Sequence, residues 1–377
     1  MMRNALRKVL FGSVLLYSAA EAGADPFLMT KLVSDTPGAQ VTDPNLVNPW
    51  GMSFSGAGPF WISNNATGTS TLYSVTASTN VATKIGLTVT IPGNGTVTGQ
   101  VFNTSAAAGA FNKDNFLFVS EDGTVSGWRG ALGTAAETLF SGSAANVYKG
   151  SALDEIGGHA YLLGANFRAG TIDVFKGDGT APALAGAFTD PNAIAGYAPF
   201  NVQTIGSTVY VTYAKQDAAK HDDVSGAGNG FVDAYDLNGN LLRRVTTGGL
   251  LNSPWGLAIA PSSFGAFAGK LLVGNFGDGR ISAFDPLTGA LAGQLTDLTG
   301  NALSIDGLWA IAPGNGGSAG SSQKLFFTAG PNGEANGLFG SLAAVPEPSP
   351  LILGGLTVLV GLAVRKGRRL LATSASL

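Results

Sequence analysis

The chain predicts an all-β fold, a six-bladed β-propeller, and three observations carry that expectation. A phrase recurs six times at spacings of about 47 to 60 residues. Each copy reads as three or four short alternating strands between turn residues such as Asn238-Gly239 and Asp178-Gly179. An aromatic residue marks the third strand of every copy: Tyr73, Trp128, Phe175, Tyr235, Phe284 and Phe339. The alternative is a two-sheet sandwich whose internal similarity is accidental, but sandwich strands have no reason to repeat one phrase six times.

The N-terminus precedes this pattern. Arg3, Arg7 and Lys8 form a basic region, 9–19 an apolar one, and Ala22-Gly23-Ala24 a small-residue cleavage site, so 1–24 reads as a secretory signal peptide. A strand follows at 27–34 with no partner nearby in sequence.

The first repeat holds Asn48-Pro49-Trp50-Gly51-Met52-Ser53-Phe54, then Phe60-Trp61-Ile62-Ser63-Asn64 and Ser70-Thr71-Leu72-Tyr73. The fifth repeats it as Ser253-Pro254-Trp255-Gly256-Leu257-Ala258-Ile259, Leu271-Leu272-Val273-Gly274-Asn275 and Arg280-Ile281-Ser282-Ala283-Phe284-Asp285. Looser copies lie at 99–129, 148–176, 198–236 and 306–339. The last copy shows only three strands, near Leu308, Leu325 and Leu338. Adding the strand at 27–34 as its outer member closes the ring and removes two exposed edges together. Gly-rich runs such as 314–320 read as flexible connections.

At the other end, Val345-Pro346-Glu347-Pro348-Ser349 precedes an apolar run at 351–364 and the basic cluster Arg365-Lys366-Gly367-Arg368-Arg369. Fourteen residues span about 21 Å as a helix, short of the roughly 30 Å hydrocarbon core. The positive charges belong on the cytoplasmic side, with everything before Pro346 across the membrane. This order of signals resembles the PEP-CTERM sorting signal, which implies export in a Gram-negative bacterium, transient membrane association, and processing by an exosortase acting on Pro346, Glu347, Pro348 and the flanking Arg365, Lys366, Arg368 and Arg369. An ordinary C-terminal tail anchor is the alternative. The domains are then 1–24 signal peptide, 25–343 propeller, 344–369 sorting signal and 370–377 tail.

The Pro-Trp-Gly phrase and the Arg-Ile-Ser-Ala-Phe-Asp pattern resemble NHL-repeat propellers. Asp43-Pro44-Asn45-Leu46-Val47-Asn48-Pro49-Trp50-Gly51 and the stretch from Ala214 to Asp233 are similar to an uncharacterised bacterial propeller family that often ends in a PEP-CTERM signal. The resemblance covers 28–369 and implies no reaction. PEP-CTERM systems tend to accompany exopolysaccharide production, so it makes a polysaccharide or envelope protein a plausible partner.

Composition narrows the partners. The chain has no cysteine, so stability rests on a core despite export. Residues 25–344 hold 14 basic and 22 acidic side chains, a net charge of −8. An acidic surface offers no counter-charge to nucleic acid or anionic lipid.

Candidate chemistry falls on the face where second-to-third-strand turns and interblade connections emerge. The second strands end at Asn64, Glu121, Asn166, Lys215, Asn275 and Gly330, and four of these offer oxygen to Ca²⁺ or Mg²⁺. The bland reading is that such Asn residues bond the local backbone and stabilise turns. In the fourth repeat a long loop carries Lys215, Asp217, Lys220, His221, Asp222, Asp223 and Asn229, the densest polar cluster of a chain in which only 12% of residues are charged. It is either a solvated acidic loop, a Ca²⁺-stabilised one, or a lid. Its spacing does not match an EF-hand. Two histidines and no cysteine leave no His-rich zinc site, and His159 reads as structural. No phosphate-binding Gly loop is present. Trp50 and Trp255 either wedge between blades or stack on a sugar.

The sequence therefore supports a non-enzymatic, exported binding module of the envelope or matrix. A divalent-metal lactonase-like or lyase-like enzyme and a purely structural matrix protein are the rivals.

Overall fold

The computed structural model describes residues 25–345; the signal-peptide and sorting-signal segments, 1–24 and 346–377, lie outside the described residues. Six sheets form the ring. Blade 1 runs Pro49–Ser53, Phe60–Asn64, Thr69–Val75 and Ala82–Thr90, from the inner strand to the outer. Blades 2, 4 and 5 repeat this four-stranded order, with inner strands Val97–Phe102, Tyr197–Ile205 and Pro254–Ile259. Blade 3 keeps only Tyr148–Ile156, His159–Asn166 and Thr171–Lys176.

Blade 6 confirms the closure. Phe27–Ser34 pairs antiparallel with Leu338–Ala344, from Phe27 opposite Ala344 to Ser34 opposite Leu338, outside Leu325–Ala329 and Leu308–Pro313. Phe27 is 1% exposed and packs 4.7 Å from Phe264, so the first strand is fastened by its side chain as well as its ladder.

The core is segmented as a ring demands. Each blade-to-blade interface has its own buried cluster, with Phe60 and Phe326 between blades 1 and 6, and Leu163 and Val211 between blades 3 and 4. A separate cluster of Trp50, Phe200, Trp255 and Trp309 occupies the axis. Trp50 and Trp255 are therefore core residues, but on the axis and not wedged between blades.

Five of the six marker aromatics face the preceding blade, four of them opposite the start of the second strand, such as Tyr73 opposite Phe60 and Phe284 opposite Leu271, and Phe175 opposite Leu162 within it. The sixth does not. Leu342 pairs with Leu325 and joins the cluster facing blade 5, whereas Phe339 lies three residues earlier and faces blade 1. A hydrophobic at either place fits an alternating strand, which is why the pattern alone misplaced it.

The Gly-rich run 314–320 also departs from expectation. Asn315 donates from Nδ2 to the carbonyls of Ser55 (3.0 Å) and Gly58 (2.8 Å), Val75 donates its amide to Ser318 O, and Ala319 is fully buried. The run is a fitted bridge from blade 6 to blade 1, not a flexible connection.

Candidate functional site at the channel mouth

One backbone irregularity, repeated six times, builds the site. The ladder between inner and second strand slips at the same place in every blade: Pro49/Met52, Val97/Gln100, Tyr148/Gly150, Pro199/Asn201, Pro254/Gly256 and Leu308/Ile311. A bulge inserts unpaired residues and re-aims their side chains. The residues it releases are Trp50, Thr98, Lys149, Phe200, Trp255 and Trp309. Small residues beside them let the inner strands converge. A Cβ on Gly51 would stand 2.5 Å from Thr98 O, and one on Gly150 only 1.9 Å from Asn201 Oδ1. Here the glycines of the Trp-Gly phrase are required by close approach, not by backbone angle.

The aromatic members plug the channel. Trp309 stacks on Trp50 at 3.5 Å and on Phe276 at 4.0 Å, while Trp255 meets Trp50 edge-on at 86°. Lys149 is the charged member of the six, a lysine only 1% exposed, with its ammonium 5.1 Å from the Trp50 ring centre.

The same registers show which hairpin residues lie above. Asn64, Asn166 and Asn275 pair with the residue before the bulge, and so do Ser120, Tyr213 and Ala329. Glu121 is thus one residue beyond the Asn position. This corrects the alignment that placed Glu121, Lys215 and Gly330 level with the asparagines. The difference decides direction. Asn64 donates to Thr69 and Thr71 hydroxyls, Asn166 to Asn146 and Asp173, and Asn275 to Leu250 O and Asp278. All three are at most 1% exposed and bond their own turns or the segments beside them. The position beyond holds Asn65, Glu121, Phe167, Ala214, Phe276 and Gly330, of which Phe167, Ala214 and Phe276 belong to the axial cluster.

Glu121 therefore sits above Lys149. Its Oε1 receives Lys149 Nζ, and its Oε2 accepts from Asn65 Nδ2 at 3.0 Å. The long loop of blade 4, between Thr208–Lys215 and Phe231–Asp236, crosses to the same point, where Lys149 Nζ donates to Asp222 Oδ1 at 3.1 Å. His221 Nδ1 lies 2.9 Å from that same oxygen. Asp217 shapes the loop by accepting the amides of His221 (2.8 Å) and Asp222 (3.3 Å). Asp223 accepts from Ser225 at 3.0 Å. The two separate sequence candidates, Glu121 and the acidic loop, are one site.

Its charges are mutually adjusted. Burial alone would pull the Lys149 ammonium down, but Glu121 and Asp222 more than reverse this and leave it above its usual value. Burial pushes the Asp222 carboxyl up; the Lys149 charge and the His221 contact bring it below the ordinary range. Glu334, which accepts from Asn48 Nδ2 at 2.9 Å, is pushed up by burial. Asn48 in turn accepts Trp309 Nε1–H at 3.1 Å, tying the acidic rim to the plug.

Ligand atoms of Glu121, His221 and Asp222 lie within 4.8 Å of one another, the geometry of a three-donor metal site. They do not fit a resident Ca²⁺ or Mg²⁺ as they stand, because the Lys149 ammonium already bonds both carboxylates and one donor is an imidazole, a poor ligand for these hard cations.

Lys149, Glu334 and Trp309 escaped sequence analysis. Aligning repeats on the small residue after the bulge puts Tyr148-Lys149-Gly150 and Leu308-Trp309-Ala310 under Pro49-Trp50-Gly51, and so exposes a lysine in an aromatic column. Nothing comparable marks Glu334.

No family model matches this chain. Uncharacterized protein R648 of Acanthamoeba polyphaga mimivirus is 33% identical over 322 residues, covering 80% of this chain and 76% of that protein. The chain belongs to its family. Uncharacterized protein L690 of the same virus is similar as well, 29% identical with 80% of this chain covered. These relatives of the R648 family are viral, where the sequence resemblance implied bacterial ones, and their descriptions carry no activity. Among solved structures, an α-L-arabinofuranosidase from Fusarium graminearum (TM-score 0.52, 13% identity, covering 84% of this chain and 98% of that one) and a glucose dehydrogenase (0.51, 11%, 84% and 100%) share the fold. At such identity the likeness speaks for architecture alone.

Proposed function

We propose that this member of the R648 family is an exported, non-catalytic propeller that serves as a binding or interaction module of the cell envelope or extracellular matrix. The carrying observation is the internal cation of the channel mouth. Lys149 neutralises the carboxylates that a propeller enzyme would use to hold a metal, and the ion pair pins the blade 4 loop across the axis. Such a site is a rigid surface and not a reactive one. Export rests on the signal-peptide pattern at 1–24 and the PEP-CTERM-like tail, which also make an exosortase the processing partner and a polysaccharide or envelope protein the binding partner. Incubating the secreted protein with isolated envelope and exopolysaccharide fractions should retain it on one of them at micromolar protein. Retention on neither would overturn the reading. Mass spectrometry of the secreted form should show both ends removed, and an intact C-terminus would refute the sorting assignment.

A second reading is a divalent-metal-dependent lactonase-like or lyase-like enzyme, favoured by the convergence of Glu121, His221 and Asp222. It requires Lys149 to leave both carboxylates before a metal binds.

A further inference from the structure

Beneath the aromatic plug the channel is not filled. A cavity of about 550 Å³ runs from Trp255 toward the opposite face of the ring, where the inner strands turn into the second strands. All six blades line it. Its wall carries no Asp, Glu, Lys, Arg or His; it is mainly apolar, with Val101, Leu153, Leu257, Ile259, Ile311 and Pro313 among its members. Polar side chains are a minority, and Gln100, Thr104, Asn201 and Thr204 among them already donate to protein acceptors. Gln203 is exposed near the opening, and the hydroxyls of Ser53 and Ser151 lie in the wall without a hydrogen-bond partner. The blind end is closed by Trp255, whose Nε1–H is already committed to Lys149 O at 3.3 Å.

Three properties select an occupant. The volume lies in the range of small-molecule sites, roughly 300–1,000 Å³, and is too large to be a packing defect. The uncharged wall penalises an ion, which would shed its hydration with no counter-charge to meet it. Water against aliphatic side chains is weakly held, so an apolar group that displaces it gains affinity. The channel-mouth network cannot serve this ligand, because the plug of Trp50, Trp255 and Trp309 stands between them.

We infer that the cavity opening on the face opposite the Lys149 site binds an uncharged, mainly apolar small molecule bearing one hydroxyl or carbonyl group, which enters past Gln203 and seats against Trp255. This site is independent of the envelope-module reading and survives its failure.

The test is a fluorescence titration of the mature protein with the uncharged probe N-phenyl-1-naphthylamine, with the anionic 8-anilinonaphthalene-1-sulfonate in parallel. The expected result is saturable enhancement by the neutral probe at one site per chain, with at least tenfold weaker binding of the anion. Gln203→Trp, at the exposed rim, should weaken the neutral probe at least tenfold. Ala312→Trp, on the half-buried end of the blade 6 inner strand, should do the same through a different wall. Circular dichroism melts identify any variant that fails to fold, and the other then decides. Asp222→Asn, on the far face, should leave binding unchanged. Absence of saturable enhancement, equal affinity for the anion, or unaltered binding by a folded rim variant would overturn the inference.

Discussion

Lys149 Nζ stands 3.1 Å from Asp222 Oδ1, a contact that ties the inner strand of blade 3 to a loop of blade 4 across 73 residues of chain. The two partners are unequal. Lys149 is 1% exposed at its side chain and Asp222 is 66% exposed, so the pair is buried from one side only.

This asymmetry predicts unequal mutants. Lys149→Met removes the cation that pairs with Glu121 and leaves that carboxylate without its ion-pair partner, at a cost of about 3–5 kcal/mol. Asp222→Asn removes a solvated partner and should cost less than about 1 kcal/mol. Urea denaturation of both variants measures the difference, and equal losses would show that Lys149 is not the keystone.

Asp154 predicts a pH dependence. It is 1% exposed, its Oδ2 has no partner, and burial outweighs the Thr204 hydrogen bond to raise its pKa to about 6. The folded state then binds this proton more tightly than the unfolded chain, whose carboxyl titrates near 3.8. The contribution is fully present below about pH 4 and is lost as pH rises through about 6. Asp154→Asn should therefore stabilise the protein at pH 7.5, by up to about 3 kcal/mol, and do little at pH 4. Melting both proteins at the two pH values checks the sign; destabilisation at pH 7.5 would refute it.

Ring closure gives the third prediction. Phe27 belongs to the core between blades 5 and 6, so Phe27→Ala should cost about 3–5 kcal/mol although it lies at the edge of the described chain. A loss below about 1 kcal/mol would mean that the ladder with Leu338–Ala344 closes the ring unaided.

How far the sequence disclosed these features depends on what each one rests on. The blades were legible because an inner strand must present a small residue where strands converge, so Trp50-Gly51 and Trp255-Gly256 repeat visibly. The bulge was not, since a residue slip leaves the phrase unchanged and alters only where it points. That is why Glu121 read as level with Asn64 when it stands one residue beyond, over the axis. Phe339 for Leu342 is a similar error, because alternation allows both. Lys149 was hidden by the drift of its repeat to Tyr148-Lys149-Gly150. Its pairing with Asp222 depends on the path of a loop that no local pattern fixes.

Divalent cations separate the two functional readings. An ion that binds the folded state alone stabilises it by about 2.7 kcal/mol at a hundredfold excess over its Kd. For a domain of this size that is a rise of several degrees in Tm, at about 2–4 °C per kcal/mol. With Lys149 between Glu121 and Asp222, millimolar Ca²⁺ or Mg²⁺ should leave the wild-type Tm unmoved. In Lys149→Met the same carboxylates lack a counter-charge, and Ca²⁺ should restore part of the lost stability, reversibly by EDTA. Adding Glu121→Gln to that variant should abolish the rescue, whereas Asn64→Ala should not, because Asn64 faces its own turn. A wild-type Tm that rises with Ca²⁺, falls with EDTA and no longer responds in Glu121→Gln would mean that the metal displaces Lys149, and the lactonase-like or lyase-like reading would then replace the binding module.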